Sequence, residues 1–165
     1  FIFYIAPGNH DIPSYESREL YNSNFGNSFN FFLRGKNVFL VLDTELLEDS
    51  EENKQQIEFV QSRLVNLGEN FSNIFIFMHK NIFFNHKNKK DEDFKNFLIE
   101  NLNKTKNIYI FSGDTGLHDN GKELMCKKSL NKLMVSSGMG SGKNDNFLRI
   151  KVFKDNKVNL EVVKF

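Results

Sequence analysis

The chain has 165 residues, a formal net charge of +1, 19 Phe, no Trp and a single Cys. That length predicts one domain spanning residues 1–165, and the near-neutral charge gives no reason to expect nucleic acid or an anionic membrane as a partner. A lone Cys126 excludes an internal disulfide and a Cys-based metal cluster, is compatible with a reducing, cytoplasmic compartment, and no apolar run approaches the ~18 residues of a membrane span.

The chain opens on Phe1-Ile2-Phe3-Tyr4-Ile5-Ala6, six residues with almost no polar atom, cut off by Pro7-Gly8. Such a run predicts a buried strand entering a tight loop. The loop presents an amide, an imidazole and a carboxylate in succession: Asn9, His10 and Asp11. Gly8 is expected to let the backbone turn sharply or approach a ligand closely. A first residue that is not Met and already sits in a core strand suggests the carboxyl-terminal part of a longer protein.

Residues 14–22 read as a short helix with Ser14 as N-cap and Glu16 in the positive first turn. Residues 28–33 and 37–42 are Phe/Val/Leu-rich runs joined through Arg34-Gly35-Lys36, which predicts an antiparallel hairpin. The second strand exits into Asp43-Thr44-Glu45. Residues 50–67 give the strongest helical signal, with Ile57, Val60, Leu64 and Leu67 on one face and Gly68 as the stop. Residues 73–78 form a second continuous apolar run, ending at His79. A polar loop with His86 leads to a helix over 91–102, carrying Phe94, Phe97, Leu98 and Leu102.

A third buried strand over 107–111 runs into Ser112-Gly113-Asp114-Thr115-Gly116. Residues 132–136, 147–153 and 158–163 read as strands of an antiparallel sheet, the last two a hairpin through 154–157. Three apolar strands thus end in groups able to bind metals or move protons: Asn9-His10-Asp11, His79 and Asp114. Helical crossovers make neighbouring strands parallel and bring their exits to one edge, where N and O donors suit Zn, Mn or Fe.

Gly8-Asn9-His10-Asp11 resembles the third motif of the calcineurin-like metallophosphoesterases. His79 resembles the lone His of the family's fourth motif, and Ser112–Gly116 falls where the family has Gly-His-x-His. Ser136-Ser137-Gly138-Met139-Gly140-Ser141-Gly142 followed by two strands resembles the closing part of that fold. The resemblance implies an α/β fold of four layers, αββα, with two packed mixed sheets and without its first βαβ portion. It implies hydrolysis of a phosphate mono- or diester, in a small molecule or a polymer, through two divalent metal ions (Mn, Fe or Zn). Asn9 and His79 would then bind metal, joined by Asp114 as an oxygen ligand. His10 would stabilise the phosphoryl transition state or protonate the leaving oxygen, and Asp11 would orient His10.

Two departures accompany the resemblance. Asp114 and Gly116 replace the two His of the last motif, and Gly116 offers no ligand. The family's Asp-x-His and Gly-Asp-x-x-Asp would precede Phe1, so the chain as given completes neither metal site and the expected metal content of this piece extends down to none. The alternative function is a catalytically inactive scaffold or binding module with the same fold. A sheet lacking strands would leave an apolar edge, which predicts an oligomer through that edge.

Other motifs carry less. Gly138–Lys143 fails as a phosphate loop because Ser137 stands at the first Gly, Asn144 replaces Ser/Thr, and a strand rather than a helix follows. His86 and His118 read as surface residues, and Cys126 has no neighbouring His to activate it.

Overall fold

The computed structural model describes residues 3–48, 50–68, 70–83, 88–102, 107–113, 125–129, 132–136 and 146–164. Strands β1 (Asn30–Arg34) and β2 (Asn37–Val41) form the expected antiparallel hairpin, and Gly35 supplies the left-handed residue of its turn at φ 58°. β2, β3 (Asn73–Met78), β4 (Asn107–Ser112) and β6 (Lys132–Ser136) lie parallel to one another, and β5 (Met125–Ser129) runs antiparallel to β6. The result is a six-stranded mixed sheet in the order β1-β2-β3-β4-β6-β5, accompanied by a two-stranded antiparallel ribbon of β7 (Asn146–Val152) and β8 (Val158–Lys164).

Alternation along β2, β3 and β4 sorts the core into two halves, because successive side chains point to opposite faces. Val38, Leu40, Ile74, Ile76, Met78, Ile108 and Ile110 face the helical side, with Val60 of α2 (Ser50–Val65) and Phe94 and Leu98 of α3 (Lys89–Asn101). The residues between them, Phe39, Phe75, Phe77, Tyr109 and Phe111, face Leu148, Ile150, Val152, Val158 and Leu160 of the ribbon. Aromatic rings stack across that face from strand to strand: Phe32 on Phe39 at 4.7 Å, Phe39 on Phe75 at 4.9 Å, and Phe75 on Tyr109 at 5.1 Å. These spacings match the separation of neighbouring strands, so register and ring stacking support each other.

At the amino ends of the parallel strands an amide ladder fixes the same register. Asn73 Nδ2 donates to Asn37 Oδ1 (2.8 Å) and to the Asn156 carbonyl in the ribbon's turn (3.0 Å), while Asn73 Oδ1 accepts from Asn107 Nδ2 (3.2 Å). At the opposite edge stands α1 (Tyr15–Phe25), opened by a Ser14–Ser17 capping box and stopped by Gly26 at φ 80°. Arg18 of α1, almost buried, ion-pairs with Asp43 at 2.6 Å and with Glu52 of α2 at 3.1 Å.

Two expectations need correction, and two elements were not foreseen. Residues 3–7 form no strand: Phe3 is 83% exposed, and Tyr4 and Ile5 are exposed as well. A strand needs a backbone ladder beside it, whereas this segment is held by the Tyr4 ring stacked on Phe32 (4.2 Å) and by the Tyr21 hydroxyl, which donates to the Ile5 carbonyl (3.1 Å). β6 does not join β7 and β8 in an antiparallel sheet; it pairs in parallel with β4, extending the main sheet. β5 went unpredicted because Met125-Cys126-Lys127-Lys128-Ser129 lacks apolar alternation. A short 3-10 helix over Thr44–Glu48 also follows β2, where only a polar strand exit was expected.

Candidate metal centre

The four parallel strands direct their carboxyl ends to one edge of the sheet. Register pairs Met78 with Ser112, so His79 and Gly113 leave the sheet side by side, and the Gly113 N–H donates to the His79 carbonyl at 3.0 Å. Opposite them lies the loop that follows Pro7. Its backbone closes on itself: the N–H groups of Asp11 and Ile12 donate to the Gly8 carbonyl at 2.9 and 3.2 Å. The Asp11 carboxylate completes the turn by accepting the Gly8 N–H at 2.9 Å, a local bond that Asp makes readily in turns.

This closed turn buries Pro7 and Gly8 and leaves Asn9, His10 and Asp11 exposed. It carries Asn9 to the half-buried His79, whose Nε2 stands 3.1 Å from Asn9 Oδ1 across 70 residues of chain. Gly8 forms the floor under the ring. A Cβ built there would lie 2.8 Å from His79 Cε1 and Nδ1, closer than side chains pack. The φ of Gly8 is outside the left-handed region, so its glycine character is demanded by the imidazole and not by the turn. At Gly113 a Cβ would meet His79 Nδ1 at 3.6 Å, an ordinary contact.

The donor set is suitable for a divalent ion. Two ligands at right angles, each about 2.1 Å from one ion, stand about 3 Å apart, close to the separation of Asn9 Oδ1 and His79 Nε2. In the absence of an ion the same contact is a hydrogen bond from Nε2–H to the amide oxygen. Burial, and then the charges of Asp43 and Asp11, raise the pKa of Tyr21, which keeps its hydroxyl protonated as the donor to Ile5. Lys80, next to His79, is drawn to Glu45 at 3.4 Å.

The structure therefore brings together Asn9 and His79, with His10 exposed in the same turn. Among the described contacts none joins Asp11 to His10; the Asp11 carboxylate is bonded to Gly8. Asp114 follows Gly113 directly and lies outside the described residues, as do His86, His118 and Gly138–Lys143. Among the described residues, no group of three or more His, Cys, Asp or Glu is placed so that it could hold a metal ion. Sequence reasoning gave no site role to Gly8 as the floor of the imidazole, or to Asp43 and Thr44. The signal for the latter was the polar Asp43-Thr44-Glu45 at the end of an apolar strand.

No protein-family model and no curated protein matches this sequence. Among the described residues, no helix is long and apolar enough to cross a membrane.

Proposed function

We propose that this chain carries part of the active site of a metal-dependent phosphoesterase, acting on a phosphate mono- or diester. The observation that carries the reading is the approach of Asn9 Oδ1 to His79 Nε2 at 3.1 Å, at the edge where the parallel strands end. Asn9 and His79 would hold one divalent ion, Mn, Fe or Zn, and Asp114, next in sequence after Gly113, is the residue we assign as a further oxygen donor. The likeness of Gly8–Asp11 to the third motif of the calcineurin-like metallophosphoesterases supports the same assignment. So does the aromatic face of the main sheet covered by the β7–β8 ribbon, which we read as part of a second sheet in an αββα arrangement.

The metals supply charge neutralisation at the phosphoryl oxygens and activation of water. The chain's own residues do the rest. His10, exposed in the same turn as Asn9, donates a proton to the leaving oxygen. Asp11 maintains the turn that presents Asn9 and His10 together, through its bond to the Gly8 N–H. That bond also favours a second reading, a catalytically silent binding module, because it occupies Asp11 with the loop and leaves His10 unoriented by it.

Hydrolysis of bis-p-nitrophenyl phosphate with Mn2+, measured on the natural chain that carries this sequence, tests the proposal. His10→Ala should lower kcat by about 10²–10⁴ with the fold intact. Unchanged turnover in that variant would refute the assignment of His10, and absence of turnover in the folded parent with Mn2+ would favour the silent module.

A further inference from the structure

Neither donor of the Asn9–His79 contact is held by the other alone. His79 sits just beyond β3, where ladder bonds no longer fix the backbone. Its own carbonyl accepts from Gly113, and the next N–H, that of Lys80, donates to Thr44 Oγ1 at 2.9 Å. Asn9 belongs to the turn that leads into α1. That helix is tied down by Arg18, whose Nη1 donates to Asp43 Oδ2 at 2.6 Å. Asp43 and Thr44 are consecutive, and both are completely buried at 0% exposure.

Asp43 is itself fixed at every polar atom. Its N–H donates to Gln56 Oε1 (2.8 Å), its carbonyl accepts from Gln56 Nε2 (3.0 Å), and Oδ1 accepts the Glu45 N–H (2.9 Å). Gln56 is fully buried in α2, so the Asp43-Thr44 peptide is anchored to the core. A closed circuit results, running from Asn9 through α1 and Arg18 to Asp43, across one peptide to Thr44, and through Lys80 to His79.

We propose that Asp43 and Thr44 are the positioning residues that set the separation of Asn9 and His79, Asp43 through Arg18 and Thr44 through the Lys80 N–H. Burying an ion pair adds little net stability compared with apolar packing, and fixing geometry is the role assigned to the Arg18–Asp43 pair in this proposal. No described hydrogen bond joins Thr44 or Asp43 to Asn9 or His79, and one peptide between them carries both restraints. The inference deepens the proposed function by naming what builds the donor pair. It rests on that reading only for its consequence in metal affinity.

The test is made on metal-free protein, by NMR of the His79 imidazole, with Asn9→Ala defining the resonances of a ring that has lost its partner. Thr44→Val keeps the shape and removes the acceptor; Thr44→Ser retains it. Thr44→Val should move the His79 Nε2 and Cε1 resonances at least halfway to those of Asn9→Ala, and Thr44→Ser should leave them at the parent positions. Asp43→Asn, which keeps the shape beside Gln56, is the second variant should Thr44→Val not fold, and it should shift the same resonances in the same direction. Parent-like His79 resonances in a folded Thr44→Val or Asp43→Asn protein would overturn the proposal, as would parent-like resonances in Asn9→Ala. A separate Mn2+ titration should show affinity falling about tenfold in Thr44→Val. A parent that binds no Mn2+ would refute the metal reading and leave the NMR result intact.

Discussion

Replacing Gly8 with alanine tests the site with one methyl group. The backbone does not forbid the change, because the φ of Gly8 lies outside the left-handed region. The space does not: the new Cβ would stand 2.8 Å from Cε1 and Nδ1 and 2.9 Å from Cγ of His79, so the ring contacts it broadside. Relief to an ordinary carbon contact of about 3.6 Å requires the imidazole or the turn to move by roughly 0.8 Å. Where that movement is taken up along the contact, it carries Nε2 from 3.1 Å to about 3.9 Å from Asn9 Oδ1, beyond hydrogen-bond range. The loss of that bond, about 0.5–1.5 kcal/mol, adds to an overpacking cost of about 1–3 kcal/mol. A total of about 1.5–4.5 kcal/mol should lower Tm by about 3–18 °C in a chain of this size. Gly113→Ala is the matched control, since its Cβ would meet the same ring at 3.6 Å, and it should shift Tm by less than about 2 °C. Thermal unfolding of the two variants decides the matter. Equal Tm values for Gly8→Ala and the parent would refute the packing of His79 on Gly8.

Two other outcomes follow from the core and the amino-terminal segment. Phe75, fully buried at the centre of the aromatic stack between Phe39 and Tyr109, should cost about 3–5 kcal/mol when changed to Ala in urea unfolding; a loss under about 1 kcal/mol would contradict the stack. The raised pKa of Tyr21 means that the unfolded phenol ionises first, near pH 10, while the folded one stays neutral. Its contribution is therefore complete below about pH 10 and is lost as pH climbs through the folded value. Tyr21→Phe should flatten that alkaline decline in stability, and an unchanged slope between about pH 9 and 11 would remove Tyr21 from the account.

Much of the fold could be read from spacing. Ile57, Val60, Leu64 and Leu67, like Phe94, Phe97, Leu98 and Leu102, all pack in the core beneath the helices, because helical periodicity leaves one face to bury. Asn73–Met78 read as a buried strand, and its alternation of Ile with Phe already contained the division between an aliphatic and an aromatic face. The run at Phe3–Ala6 misled because apolar composition cannot reveal whether a backbone partner stands alongside. The site was legible as residue types in order, and Asn9 and His79 do meet. What stayed hidden was the work of the neighbours. Gly8 was read as allowing a sharp turn or a close approach to a ligand, and the group it approaches closely is the His79 imidazole. Asp11 was read as the orienter of His10, yet its carboxylate reaches back three residues to close its own turn. Asp43 and Thr44 act through bonds to residues distant in sequence, which no local pattern announces.

The most direct test of the central claim is calorimetric titration of Mn2+ into the natural chain that carries this sequence, alongside its Asn9→Ala and His79→Ala variants. If the two side chains share one ion, each variant should weaken binding by tenfold or more, and the double variant should be little worse than the singles. Parent-like Mn2+ affinity in both variants would contradict the account, leaving the 3.1 Å contact as a hydrogen bond that ties a loop to the sheet.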